Sequence, residues 1–254
     1  MGTPMNAGTR EARLIAAFVK LTDTLIDDYD VVDVLHWLVE ECATMLDTRD
    51  GGVLLADPRG SLQLVASTSE EAQLVEIFQL AAGAGPCLDC FRSGETVTVG
   101  NLEAEADRWP EFSQEAFKLG FRSVHATPLR LRGQIIGTMN LFSVHVGALV
   151  AEDAAVARAL ANVATIGILQ NHNFHSTRVL TEQLQRALDT RILIEQAKGV
   201  VVAKTGMNMG EAFAALRASA TNRNLRLRQV ADDVIAGRLE IDRDPASSVV
   251  EKHH

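Results

Sequence analysis

Cysteine is scarce in this chain: Cys42, Cys87 and Cys90 are the three among 254 residues. So small and odd a count excludes a disulfide-stapled secreted scaffold and fits a reducing compartment. Aromatic residues make up 5% of the sequence, so the cores must be built from Leu, Val, Ile and Ala. No stretch approaches the roughly 18 uninterrupted apolar residues that a membrane-spanning helix needs. Met1 to Arg10 carries no apolar run of the kind a secretion signal requires. The expected location is therefore cytoplasmic, with no membrane partner. Hydrolase and nucleotide signatures are missing too: there is no Gly-x-Ser-x-Gly, Walker loop, His-Glu-x-x-His or Gly-x-Gly-x-x-Gly. The acidic residues are scattered along helix faces. No catalytic residue and no enzymatic activity is expected, and no metal site or cofactor. His253 and His254 are read as the stub of a purification tag and set aside.

What is present is an uneven charge. The net value is −9. Residues 1–177 hold 12 Lys+Arg against 23 Asp+Glu, a balance of −11. Residues 178–240 hold 10 against 7, a balance of +3. An acidic body carrying a mildly basic module is a pattern for nucleic-acid binding at one end.

Hydrophobic periodicity divides the chain further. Leu14, Phe18, Leu21 and Leu25 mark an amphipathic helix over 11–26, and Leu35, Leu38, Cys42 and Met45 a second over 31–46. Cys42 reads as a buried small hydrophobe. Gly51-Gly52 reads as a helix break. Val53–Ala56 and Leu62–Ala66 flank Asp57-Pro58-Arg59-Gly60 as a β-hairpin. Residues 70–82 look helical, and Thr96–Val99 looks like a short strand. Ser123–Leu131 and Gln134–Ser143 flank Arg132-Gly133 as a second hairpin. Pro128 cannot donate to a ladder and should sit at a bulge or an edge. Residues 151–204 read as nearly continuous helix, about 80 Å at ~1.5 Å per residue, so part of it should link two domains. Leu180, Leu184, Leu188 and Ile192 recur every four residues and fit a coiled-coil seam in a homodimer. Beyond it, Asn208 with Glu211 has the spacing of a capping box. Ala212, Phe213, Leu216 and Ala220 line one helix, and Leu227, Val230, Ala231 and Val234 another that Gly237 ends.

Several strings then become recognisable. Gly85-Pro86-Cys87, Ser93-Gly94-Glu95-Thr96-Val97, Gly120-Phe121-Arg122-Ser123, Thr127-Pro128-Leu129 and Ile136-Gly137-Thr138-Met139-Asn140-Leu141-Phe142 together resemble a GAF domain. The likeness covers about residues 10–172 and implies an α+β sensor with an antiparallel sheet flanked by helices. It implies a small-molecule effector without naming it. Leu184-Gln185-Arg186-Ala187-Leu188-Asp189-Thr190-Arg191, Ile194-Glu195-Gln196-Ala197-Lys198-Gly199-Val200, Glu211-Ala212-Phe213, Leu216-Arg217, Ala220-Thr221-Asn222 and Leu227-Arg228-Gln229-Val230-Ala231 resemble the ANTAR domain of transcription antitermination regulators. That likeness implies an all-α three-helix domain that binds RNA hairpins in nascent transcripts and promotes antitermination. After Lys-Gly-Val the chain departs from the common Met-x-Arg and has Val201-Val202-Ala203-Lys204. The resulting division is a disordered N-terminus over 1–9, the sensor over 10–172, a helical linker over 173–190, the RNA-binding domain over 179–240 and a disordered tail over 241–254.

RNA loops expose bases and phosphates that cations and amides read. The expected contact residues are Lys198, Lys204, Arg217, Asn222, Arg223, Arg226 and Arg228. Phe213 lies on the apolar face, so Arg or backbone contacts rather than aromatic stacking should carry base recognition. Cys87-x-x-Cys90 admits three readings: structural, a redox or sensing pair, or part of a metal site with His36, His125 or His145. A helix start after Gly85-Pro86 would lower the thiol pKa. If the pair only tunes signalling, replacing both by Ser should leave thermal stability nearly unchanged. Two other functions stay open. One is a GAF-fold thiol reductase acting on free methionine sulfoxide. The other is a DNA-binding regulator with Leu227–Ala236 as recognition helix, although Asp232 and Asp233 would face phosphate unfavourably.

Overall fold

The computed structural model describes residues 12, 14–20, 31–57, 59–131, 133–170, 177–223 and 225–241. It divides into two units, residues 1–187 and 188–254. In the first unit, α1 (residues 14–20) and α2 (Val31–Met45) come first. The sheet strands are β1 (Asp50–Ala56), β2 (Leu62–Ser67), β3 (Val97–Val99), β4 (Ser123–Leu131) and β5 (Gln134–Ser143). They form one antiparallel sheet in the order β2-β1-β5-β4-β3. Helices α3 (Glu70–Ala82), α4 (Pro86–Ser93) and α5 (Pro110–Lys118) lie between the two hairpins in sequence, and α6 (Ala151–Gln170) follows β5.

Both expected hairpins are present, β1 with β2 and β4 with β5. Gly51 and Gly52 do not merely break the preceding helix; they belong to β1 and pair with Leu141 and Asn140 of β5. Their lack of a side chain is a packing requirement. A Cβ on Gly51 would lie 2.6 Å from Val39 of α2, and one on Gly52 would lie 2.8 Å from Glu76 Oε1 of α3. Pro128 pairs with Thr138 on one side and lies beyond the last β3 partner, Ala126, on the other. A bulge follows between Leu129 and Arg130, so the missing N–H falls at a local edge.

Strand alternation gives the sheet two buried faces. Val124 and Phe142 join Val75 of α3 and Phe112 and Ala116 of α5 in one core, in which the Phe121 and Phe142 rings lie 5.0 Å apart. Leu54, Ala56, Leu62 and Leu64 form a second core with Cys87 on the same side. The other face is covered by α2 and α6, where Leu35, Leu38, Val39 and Cys42 are buried. Cys42 is a free thiol pushed up to about 12 by burial and by Glu41; it packs as a small hydrophobe.

The second unit contains the end of α7 (Thr177–Thr205), α8 (Met209–Arg223) and α9 (Leu227–Ile235). Asn208 and Glu211 close the capping box in both directions. Glu211 N donates to Asn208 Oδ1 at 2.7 Å, and Asn208 N donates to Glu211 Oε2 at 3.0 Å. Leu216 and Ala220 of α8 are buried, as are Val230, Ala231 and Val234 of α9, and the two helices contact each other. Residues 171–176 fall outside the described residues, and so do the expected disordered segments except residue 241. The side chains of Leu180 and Leu184 are outside them too. Among the described residues no single helix is long and apolar enough to cross a membrane.

Candidate functional site

Helix α3 buries the wrong residues for a solvent-facing amphipathic helix. Leu74 and Ile77 are 53% and 44% exposed, while Glu76 and Gln79 are 0% and 1% exposed. Its ends are well specified. Ser69 accepts from Ala72 N at 3.0 Å, and Gly83 at φ 66 closes the C-terminus in the left-handed conformation. The inversion is therefore not a slipped register. It places two polar side chains beside Ala72 and Val75 on the buried face, and a local rule broken in this way is where function is to be sought.

These two side chains join a chain of hydrogen bonds. Asn140 Nδ2 of β5 donates to Glu76 Oε1 at 2.6 Å. Gln79 Nε2 donates to Glu76 Oε2. The backbone N–H of Cys87, at the start of α4, donates to Gln79 Oε1 at 3.2 Å. Burial pushes the Glu76 carboxyl up from 4.5 to about 8, with the Asn140 and Gln79 bonds pulling the other way. Asn140 Oδ1 and Thr138 Oγ1 are buried without a hydrogen-bond partner among the described residues. Both residues are 0% exposed and stand on the same face of β5, two positions apart. Gly52, opposite Asn140, leaves room for Glu76 against the sheet. Replacing Gly52 by Ala should cost ~1–3 kcal/mol through overpacking, measured by urea denaturation.

Cys87 and Cys90 are the second and fifth of the eight residues of α4, and both are buried free thiols. The helix start does not activate them. Burial, with Glu76 and Cys90 adding to it, holds Cys87 well above 9.0. Burial pushes Cys90 to about 12, and its Sγ lies 3.5 Å from the Ala126 carbonyl. In this arrangement burial disfavours the thiolate form of both. The expectation that a double Ser replacement leaves stability unchanged is reversed. Each hydroxyl would enter a buried position built around a thiol, at ~1–3 kcal/mol where it finds no well-placed acceptor, so the double variant should melt several degrees lower in calorimetry. Among the described residues no group of three or more His, Cys, Asp or Glu could hold a metal ion. His125 is engaged elsewhere, its Nδ1 2.8 Å from Thr98 Oγ1, and burial and Arg158 lower it to about 4.

In the second unit the expected RNA-contact residues separate. Asn222, Arg223, Arg226 and Arg228 are exposed and cluster at the α8–α9 corner. Lys204 is exposed near the end of α7 and pairs with Glu240 at 3.1 Å. Arg217 is half-buried, 5.9 Å from the Phe213 ring centroid. Lys198 does not stand on the surface: it is 6% exposed, bonded to both Glu195 oxygens at 3.1 Å, and 5.8 Å from the same ring. A buried, paired ammonium cannot reach a phosphate without giving up that pairing. Phe213 is thus not simply apolar packing but a half-buried ring with two cations within 6 Å of its centroid, Lys198 at 5.8 Å and Arg217 at 5.9 Å.

The GAF domain family matches residues 29–168, and the ANTAR domain family matches residues 182–235. The chain belongs to the GAF domain family and carries an ANTAR domain behind it. It is a sensory regulator with an RNA-binding antitermination domain. Among solved structures, the chain resembles the GAF domain of an Acinetobacter phosphoenolpyruvate-protein phosphotransferase at 13% identity. That match has a TM-score of 0.49 and covers 64% of this chain and 96% of that one. The GAF domain of the Coxiella burnetii counterpart is 14% identical, with a TM-score of 0.49, covering 62% and 94%. A free methionine-R-sulfoxide reductase from Neisseria meningitidis, solved with its substrate, is 19% identical, with a TM-score of 0.48, covering 74% and 96%. No curated protein matches the chain.

Proposed function

We propose that this chain binds RNA hairpins in nascent transcripts and promotes antitermination, with sensing in the GAF domain gating the ANTAR domain. The observation that carries the RNA reading is the α8–α9 corner, where three guanidinium groups and one amide stand exposed within seven residues. Phosphates favour this corner twice over. The Arg side chains neutralise them, and α9 begins there with the positive end of its dipole. Asn222 is the base-reading residue, because its amide both donates and accepts. Arg217 and Lys204 extend the surface, and Lys198 supports it from within. The sensor is the polar cluster of Glu76, Gln79, Asn140 and Cys87. The protein acts in the cytoplasm as a homodimer, for which Leu188, half-buried, and Ile192, 57% exposed, are the described part of the seam on α7. With buried, protonated thiols, the chain is a regulator and not a thiol reductase.

Titrating the full chain against a library of short RNA hairpins, at several salt concentrations, tests this. One hairpin class should bind at least tenfold tighter than unstructured RNA, and affinity should fall as salt rises. Equal binding to all RNA, or tighter binding to duplex DNA, sinks the reading. Light scattering at micromolar concentration should give twice the mass of one chain.

A further inference from the structure

We propose that the buried face of α3 is a recognition site for a ligand bearing a protonated nitrogen, an ammonium or guanidinium group, held by the Glu76 carboxylate, Asn140 Oδ1 and Thr138 Oγ1. This rests on the sensing role proposed above and adds the chemistry of what is sensed. The first ground is the balance of hydrogen-bonding groups. As arranged, both Glu76 oxygens accept from side-chain amides. Gln79 Oε1 is already occupied by the Cys87 N–H. Once Glu76 is ionised, what remains in the cluster is chiefly acceptor capacity: further lone pairs on Glu76, the unpartnered Asn140 Oδ1, and Thr138 Oγ1, whose hydroxyl can accept as well as donate. A ligand that satisfies the carboxylate and Asn140 Oδ1 must bring N–H donors.

The second ground is charge. Two amide donors arranged around one carboxyl suit its ionised form. A buried carboxylate nevertheless requires a counter-charge. Among the described residues no salt bridge reaches Glu76; on the same helix the arginine contact, Arg49, goes to Glu71 at 4.0 Å. The protein supplies the anion and its amide supports but no cation. The third ground is the make-up of the buried face of α3, where Glu76 and Gln79 lie inside beside Ala72 and Val75 while Leu74 and Ile77 stand exposed. The balance of the binding step is simple: Glu76 gives its proton to solvent, and the ligand cation takes its place against the carboxylate.

Guanidinium and urea make the decisive pair of probes, since they share shape and N–H donors and differ in charge. Both are added to the full chain at low millimolar concentration, far below denaturing levels, while the Glu76 side-chain carboxyl is followed by carbon NMR. Guanidinium should lower its titration midpoint by at least one pH unit, and urea should leave it in place. Thr138→Val, which keeps the shape and removes an acceptor, should weaken the guanidinium effect several-fold without unfolding the chain. Equal effects of the two probes, or no effect of either, overturns the cationic class. Acetate is the anionic control; a larger shift with acetate than with guanidinium also overturns it. Hairpin-RNA affinity measured beside the titration separates this from gating. If guanidinium moves Glu76 but not RNA affinity, the ligand class stands and the gating fails. If a neutral or anionic compound moves both, gating stands and the class fails.

Discussion

Replacing Arg223, Arg226 and Arg228 together by Gln should weaken hairpin-RNA binding by about a thousandfold. A hydrogen bond to a charged group contributes ~1.5 kcal/mol or more, and three lost together approach ~4.5 kcal/mol. All three side chains are exposed at the α8–α9 corner, so the fold should survive and the circular dichroism spectrum should not change. If the three meet phosphates, the dependence of log affinity on log salt should flatten by about three, one for each contact. The loss should be the same for every hairpin. Asn222→Ala should behave differently, costing ~1–3 kcal/mol on the preferred loop only and leaving the salt slope alone. Lys198→Met is the internal contrast. Its partner Glu195 and the Phe213 ring lie inside the same unit, so it should lower the melting temperature before it changes the salt slope. A triple variant that binds within threefold of the original, with an unchanged slope, would move RNA recognition away from this corner.

The elements that the sequence made legible are those specified locally. The two hairpins are written in alternation and turn residues, and the start of α8 is written in the Asn208–Glu211 spacing; neither depends on distant parts of the chain. The exposed Arg223, Arg226 and Arg228 were legible for a related reason, since Arg residues at helix ends need no core to place them. The buried cluster of Glu76, Gln79 and Asn140 was not. Period 3.6 identifies α3 as a helix but does not say which side faces in, and Glu76 and Gln79 read naturally as its solvated face. Only the pairing of Gly52 with Asn140 across β1 and β5 reveals a space that Glu76 fills, and that is a long-range fact. For the cysteines the helix start was legible, but their burial was not, and burial raises both thiols where a helix start alone would lower them. Lys198 shows the same limit: a cation in a family motif reads as a contact until its burial is known.

Glu76→Gln should make the ligand-free protein more stable than the wild type at high pH and leave the two alike in acid. The folded state holds the Glu76 proton up to about 8, whereas the carboxyl's ordinary value is 4.5. Below 4.5 the group is protonated in both folded and unfolded chains and contributes no pH dependence. As pH rises from there the unfolded chain gives up its proton while the folded chain keeps it. The folded state is then disfavoured by about 1.4 kcal/mol for each pH unit. The loss levels off once the folded carboxyl also ionises, near 8, after accumulating to roughly 5 kcal/mol. Gln is neutral throughout. Its carbonyl can accept from one neighbouring amide, and its NH2 group can donate to Asn140 Oδ1 once that amide turns over. Other carboxylates titrate in the same range in both proteins, so the difference between variant and wild type isolates Glu76. Urea denaturation at intervals across this range measures it. A difference that opens with rising pH and saturates near 8 places the proton on Glu76; a difference that stays flat means Glu76 is ionised in the folded chain and already has its counter-charge.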